Sequence, residues 1–155
     1  MNAKLGCILL SAVFISCNAK NAAETSKPGQ ERLSGTWRLV TGRLVEKGNT
    51  TVTDYTQNTS FIKIINETHF AFLQHGLKGS KDSAVFAAGG GRYSLNNNSY
   101  TEHLEYCNAR EWEGHDFTFT VSITNDTLVQ KGIEKVEGAG IERLNTEVYV
   151  RMKEQ

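Results

Sequence analysis

From Ser34 onward, apolar and polar residues alternate in short runs broken by Asn, Gly and Asp. That period of two is the signature of strands buried on one face. Gly35–Val45, Ser60–Ile65, His69–Gln74, Val85–Ala88, Arg92–Leu95, Tyr100–Tyr106, Phe117–Ile123 and Thr127–Ile133 read as strands, and Leu144–Met152 adds another. The Val85 and Arg92 runs join into one strand interrupted by Gly89-Gly90-Gly91, where glycine marks a bulge or a sharp corner. Joining them leaves eight strands. Asn66-Glu67-Thr68, Asn96-Asn97-Asn98 and Asn125-Asp126 each separate two alternating runs, as short hairpin loops do. Helical character is confined to Asn108–Glu113, a turn or two with Asn108 as its cap. Tight connections between successive strands imply neighbour-to-neighbour antiparallel pairing, in a sandwich or in a closed sheet. Closure removes exposed edges. The expected fold is therefore all-β, an eight-stranded up-and-down antiparallel β-barrel.

The chain before Ser34 has a different texture. One basic residue, Lys4, precedes an apolar run from Leu5 to Ile15, and Ser16-Cys17 follows. This pattern is a secretory signal, and the run is too short to span a bilayer. A cysteine at the cut resembles the lipobox of bacterial lipoproteins, with Phe14 where that pattern prefers Leu. The resemblance implies that Cys17 is the first mature residue and carries a lipid. The chain would then be exported and held at the cell envelope, on the outer membrane, through the anchor alone. Cys7 follows Leu5-Gly6, but the apolar run before it is too short to serve; an ordinary cut near Ala19–Ala23 is the alternative. Residues 18–33 hold Pro28 and no apolar period, as a flexible spacer does. The expected organisation is a signal at 1–16, a lipidated cysteine and spacer at 17–33, and a barrel domain at 34–155.

Composition narrows the partners. The chain has 17 basic and 17 acidic residues and no formal net charge. The two signs are interspersed, which speaks against a nucleic-acid partner, since such binders concentrate a basic excess on one face. With Cys7 removed and Cys17 lipidated, Cys107 has no partner, so no disulfide forms within one mature chain. No cysteine-enzyme signature surrounds it, and a packed thiol is the better reading. Asn49, Asn58, Asn66, Asn97 and Asn125 stand in Asn-x-Ser/Thr sequences that mark turns.

Gly35-Thr36-Trp37 opens the first strand and Arg151 lies near the end of the last. The pair resembles the signature of lipocalins and calycins, in which an indole plugs the closed end and a guanidinium covers its face. Further blocks follow in order: Thr68–Phe72, Gly89–Leu95, Tyr100–Tyr106, Phe117–Val121 and Glu147–Arg151. Together they resemble the lipocalin-like domain family of bacterial lipoproteins and secreted proteins, over roughly residues 33–152. The resemblance implies a fold and no general activity. Tyr149 and Phe72 stand where Trp is usual, and Arg92 where Thr is common.

An eight-stranded barrel can hold one small ligand. Phe117, Phe119, Val121 and Ile123 form an apolar face, so the neighbouring strand is expected to turn Tyr100, Glu102, Leu104 and Tyr106 inward. On the last strand Val148 and Val150 are an alternative inward face, but the Trp37–Arg151 pairing selects Glu147, Tyr149 and Arg151. The expected partner is a small apolar or amphipathic ligand held by Phe72, Tyr93, Tyr100, Glu102, Tyr106, Phe119 and Tyr149, with Trp37 and Arg151 closing the base. Glu102 would orient the ligand by accepting a hydrogen bond; structurally, Glu102 would accept from a tyrosine and Glu147 would pair with Arg151. Two other classes compete. One is an isomerase- or lyase-type enzyme with Glu102 as general base; the other is a surface module that meets a partner protein or glycan through its outer wall. His69, His75, His103 and His115 lack the spacing of a zinc motif, and Gly89-Gly90-Gly91 lacks the Lys-Ser/Thr of a phosphate loop. No cofactor is indicated.

Overall fold

A computed structural model describes residues 32–79 and 84–153. The signal, Cys7, Cys17 and the spacer through residue 31 lie outside the described residues. Among the described residues nine strands run in sequence: β1 Gly35–Glu46, β2 Asn49–Asp54, β3 Thr59–Ile65, β4 His69–Gly76, β5 Phe86–Asn96, β6 Ser99–Cys107, β7 Asp116–Thr124, β8 Thr127–Val136 and β9 Ile141–Arg151. Each strand from β3 to β9 pairs antiparallel with the next, and β9 returns to β1. The protein is a closed eight-stranded up-and-down barrel, consistent with a lipocalin-like fold. The short β2 is additional: it pairs with the second half of β1, on the edge whose first half pairs with β3.

Closure joins the first and last strands over eight register positions, beginning with Trp37 opposite Arg151. A bulge at Val40 divides β1, so that Trp37 and Leu39 face inward before it and Gly42 and Leu44 after it. The glycine run keeps β5 continuous, with a register shift between Gly90 and Gly91. An added Cβ at Gly91 would land on the carbonyl oxygen of His103, so only glycine lets β5 and β6 approach so closely.

The two ends of the barrel differ. At one end the connections are the three tight asparagine turns. Asn97 and Asn125 adopt the left-handed conformation, which asparagine tolerates, and the Asn66 side chain accepts the backbone N–H of Thr68 and His69. Trp37, fully buried, fills this end and donates its indole N–H to the Leu33 carbonyl at 2.8 Å. Leu33, assigned by its sequence to the spacer, is itself buried in the core. The Arg151 guanidinium lies 4.0 Å from the Trp37 ring centroid and donates to the carbonyls of Ser34 and Arg32. The connections at the other end are longer, at 77–85, 108–115 and 137–140.

Asn108 does not cap a helix. Residues Arg110–Trp112 form a single 3₁₀ turn with no side-chain cap. The Asn108 amide instead ties the connection to β5, accepting from the Ala88 N–H at 2.8 Å and donating to the Phe86 carbonyl.

Candidate functional site

A cavity of about 310 Å³ occupies the half of the barrel opposite Trp37. Its wall runs from Gly42 and Leu44 on β1 round to Arg143–Tyr149 on β9, and it reaches the exposed Thr53 and Asn108 at the long-loop end. Tyr55, Phe61 and Phe72 form an aromatic arc on one side, with ring centroids 5.7 and 5.9 Å apart in turn. Trp112 and Phe117 face it from the β6–β7 side, 5.6 Å apart. Gly42 makes room for the arc, since a Cβ there would meet the Tyr55 ring at 2.9 Å.

The floor is polar. Lys63 is only 3% exposed, and its ammonium donates to Glu102 at 2.7 Å and to the Gln130 amide oxygen at 3.1 Å. It also lies 5.3 Å from the centre of the Tyr149 ring, a cation–π distance. Burial pulls Lys63 downward, but the Glu102 and Glu147 carboxylates outweigh it and hold the lysine above its ordinary pKa. Burial pushes Glu102 up, and Lys63 recovers only part of that rise. Lys63 is therefore a fixed cation at neutral pH and no amine nucleophile. One Glu102 oxygen, Oε1, is held by Lys63.

Nearer the loops, the Glu134 carboxylate takes a hydrogen bond from Arg143 Nε at 2.6 Å and another from the Asn145 amide at 2.7 Å. Arg143 stacks over Trp112, 5.0 Å from its centroid. The remaining wall carboxylate, Glu147, accepts from the Tyr149 hydroxyl at 2.8 Å. Burial, then the Glu147 charge, pushes Tyr149 well above its ordinary pKa, so that hydroxyl stays a donor.

The residues expected at the site separate into three groups. Phe72, Glu102, Phe119 and Tyr149 line the cavity. Tyr93 and Tyr100 lie outside its wall, packed together with centroids 5.1 Å apart, and Tyr93 donates to the Asn66 carbonyl. The Tyr100 hydroxyl is buried without a hydrogen bond of normal geometry; burial first, and then the nearby Glu102, hold its pKa well above the ordinary value. Tyr106 points the other way and is 68% exposed. Its face is reversed by the register shift opposite Gly90 and Gly91, which inserts Glu105 as an extra residue in β6 and turns Cys107 inward in its place. Cys107 is a buried free thiol on the cavity wall. Glu147 does not pair with Arg151, because Arg151 is spent on the carbonyls at the closed end. The structure adds Lys63, Gln130, Glu134, Arg143 and Asn145; alternation had hidden the first three, since on β3 and β8 it is Ile64 and Ile133 that face solvent.

Among the described residues, no group of three His, Cys, Asp or Glu side chains is placed to hold a metal ion. His103 pairs with Asp116 on the outside at 2.8 Å, His69 bonds to Thr68, and His115 stacks on Phe117. No family model matches the chain, and no curated protein matches it either.

Proposed function

We propose that this protein is a lipocalin-like binding barrel that takes one small, partly apolar molecule into its cavity. We further propose that it is exported and held on the envelope membrane by a lipid on Cys17. The observation that carries the binding reading is the hollow itself. Close-packed interiors rarely keep voids larger than a water molecule, whereas about 310 Å³ remains here, walled by aromatic rings over a few convergent polar groups. Those are the features of small-molecule sites. The lipid reading rests on the sequence around Cys17.

Native mass spectrometry of protein purified from the cells that produce it tests both parts. A retained small molecule supports binding, and a mass increment on Cys17 supports the anchor. Ala87 lies on the wall opposite Gln74, so Ala87→Phe fills the hollow and is expected to abolish retention. A chain that carries no molecule and binds no neutral naphthalene probe overturns the binding reading.

A second reading, a surface module, has one observation behind it. Ile64, Leu73, Phe86 and Tyr106 are exposed on the outer wall of β3–β6. Capture of a specific partner that survives Ala87→Phe but fails in Tyr106→Glu would favour it.

A further inference from the structure

We propose that the ligand is a cation, a protonated amine on a small aromatic or apolar body, and that Glu147 receives its ammonium. The proposal rests on the cavity reading above and names its ligand class. The wall carries three carboxylates, Glu102, Glu134 and Glu147, against two cations, Lys63 and Arg143. Each cation is already committed: Lys63 to Glu102 and Gln130, Arg143 to Glu134 and the face of Trp112. Among the described residues, Glu147 is the wall carboxylate with no cation in ion-pair contact; its partner is the neutral Tyr149 hydroxyl.

A second feature points the same way. Tyr55 packs on Gly42, the strand partner of Glu147, which brings an aromatic ring into the neighbourhood of that carboxylate. A carboxylate with an aromatic ring nearby forms the setting that holds an ammonium by ion pairing and cation–π attraction. A carboxylate ligand meets the reverse situation. It would have to share Lys63 with Glu102 or Arg143 with Glu134, setting two carboxylates against one cation with Glu147 still unneutralised beside them. The apolar body would lie against the arc of Tyr55, Phe61 and Phe72.

Calorimetric titration of the purified protein at neutral pH with naphthylethylamine, naphthylethanol and naphthylacetate tests the charge while keeping the ring constant. The amine is expected to bind about tenfold tighter than the alcohol, the scale of a partly desolvated cation contact, and the acetate to bind most weakly. Glu147→Gln keeps an acceptor for Tyr149 and should erase the amine advantage while leaving alcohol binding within about twofold; that unchanged binding also reports an intact barrel. Should the variant lose alcohol binding too, the wild-type ranking decides the charge. Acetate binding as tightly as the amine overturns the cation proposal and leaves the cavity reading standing. An amine advantage that survives Glu147→Gln removes Glu147 from the role. Binding of none of the three overturns the cavity reading, and this proposal with it.

Discussion

Lys63→Met is the sharpest perturbation of the barrel floor, because methionine keeps most of the stem and deletes only the charge. The ammonium sits 2.7 Å from Glu102 with both side chains buried. At an effective dielectric of about 20, the gross attraction at that distance is about 6 kcal/mol. Desolvation cancels much of it, so the net worth of the intact pair is small. Removing one partner is different, since it strands the other: such single deletions cost about 3–5 kcal/mol. Set against a domain stability of about 5–15 kcal/mol, the single variant should be severely destabilised. Lys63→Met combined with Glu102→Gln removes both charges and should recover to within about 1 kcal/mol of the wild type.

The pH dependence fixes the assignment. Lys63 has a folded-state pKa above its ordinary 10.5, so its contribution is present below that value and is lost as pH rises through the folded one. The gap between wild type and Lys63→Met should therefore close at strongly alkaline pH. It should also narrow as pH falls, because the stranded Glu102, already raised by burial, takes up a proton and ceases to be a buried charge. Urea denaturation followed by the fluorescence of Trp37 and Trp112 across this range reads both limbs. A loss below about 1 kcal/mol at neutral pH, or a double variant no better than the single, would refute a buried, mutually dependent pair.

Two further substitutions test the frame around the site. Arg151→Ala removes a cation–π contact and two hydrogen bonds to carbonyls of the chain leading into β1, and should cost about 2–3 kcal/mol in chemical denaturation; Arg151→Lys should recover less than half, having no planar fork to serve both carbonyls and the ring. Gly91→Ala should lower stability by about 2 kcal/mol or more, since its Cβ meets the His103 backbone, whereas Gly138→Ala, with open space around it, should stay within about 0.5 kcal/mol in the same assay.

Strand by strand, the barrel was legible because its hairpins are short and its apolar faces alternate. The exceptions have physical causes. β2, Asn49–Asp54, is exposed along its whole length and carries no amphipathic signal; it forms because the second half of β1 offers an unpaired edge. Tyr106 was misplaced because a one-residue bulge inverts every side chain beyond it, and no local pattern in Tyr100–Cys107 announces where the extra residue falls. The polar floor was hidden for a deeper reason. Alternation assigns Ile62 and Ile64 to the core and Lys63 to water, yet Lys63 is buried and Ile64 exposed. That inversion is stable only because Glu102 and Gln130, distant in sequence, meet Lys63 in space. Glu102 itself was legible, since it shares its strand face with Tyr100 and Leu104 beside the unambiguous Phe117–Phe119 face.

The polar floor also explains how the barrel tolerates its hollow. A sealed, dry apolar void of about 310 Å³, at roughly 24 cal/mol per Å³, would cost about 7 kcal/mol, whereas this cavity opens at the long-loop end and admits solvent. Lys63, Gln130, Glu134 and Asn145 change that cost, because a wall with donors and acceptors can hold water where an apolar wall cannot. The closed end anchors the arrangement: Leu33, Trp37 and Arg151 pack there beside the tight asparagine turns. A ligand must then replace polar interactions at the floor and cover rings at the arc. A purely apolar molecule can do only the second, and an anion must share each cation with a wall carboxylate; an amphipathic amine can do both.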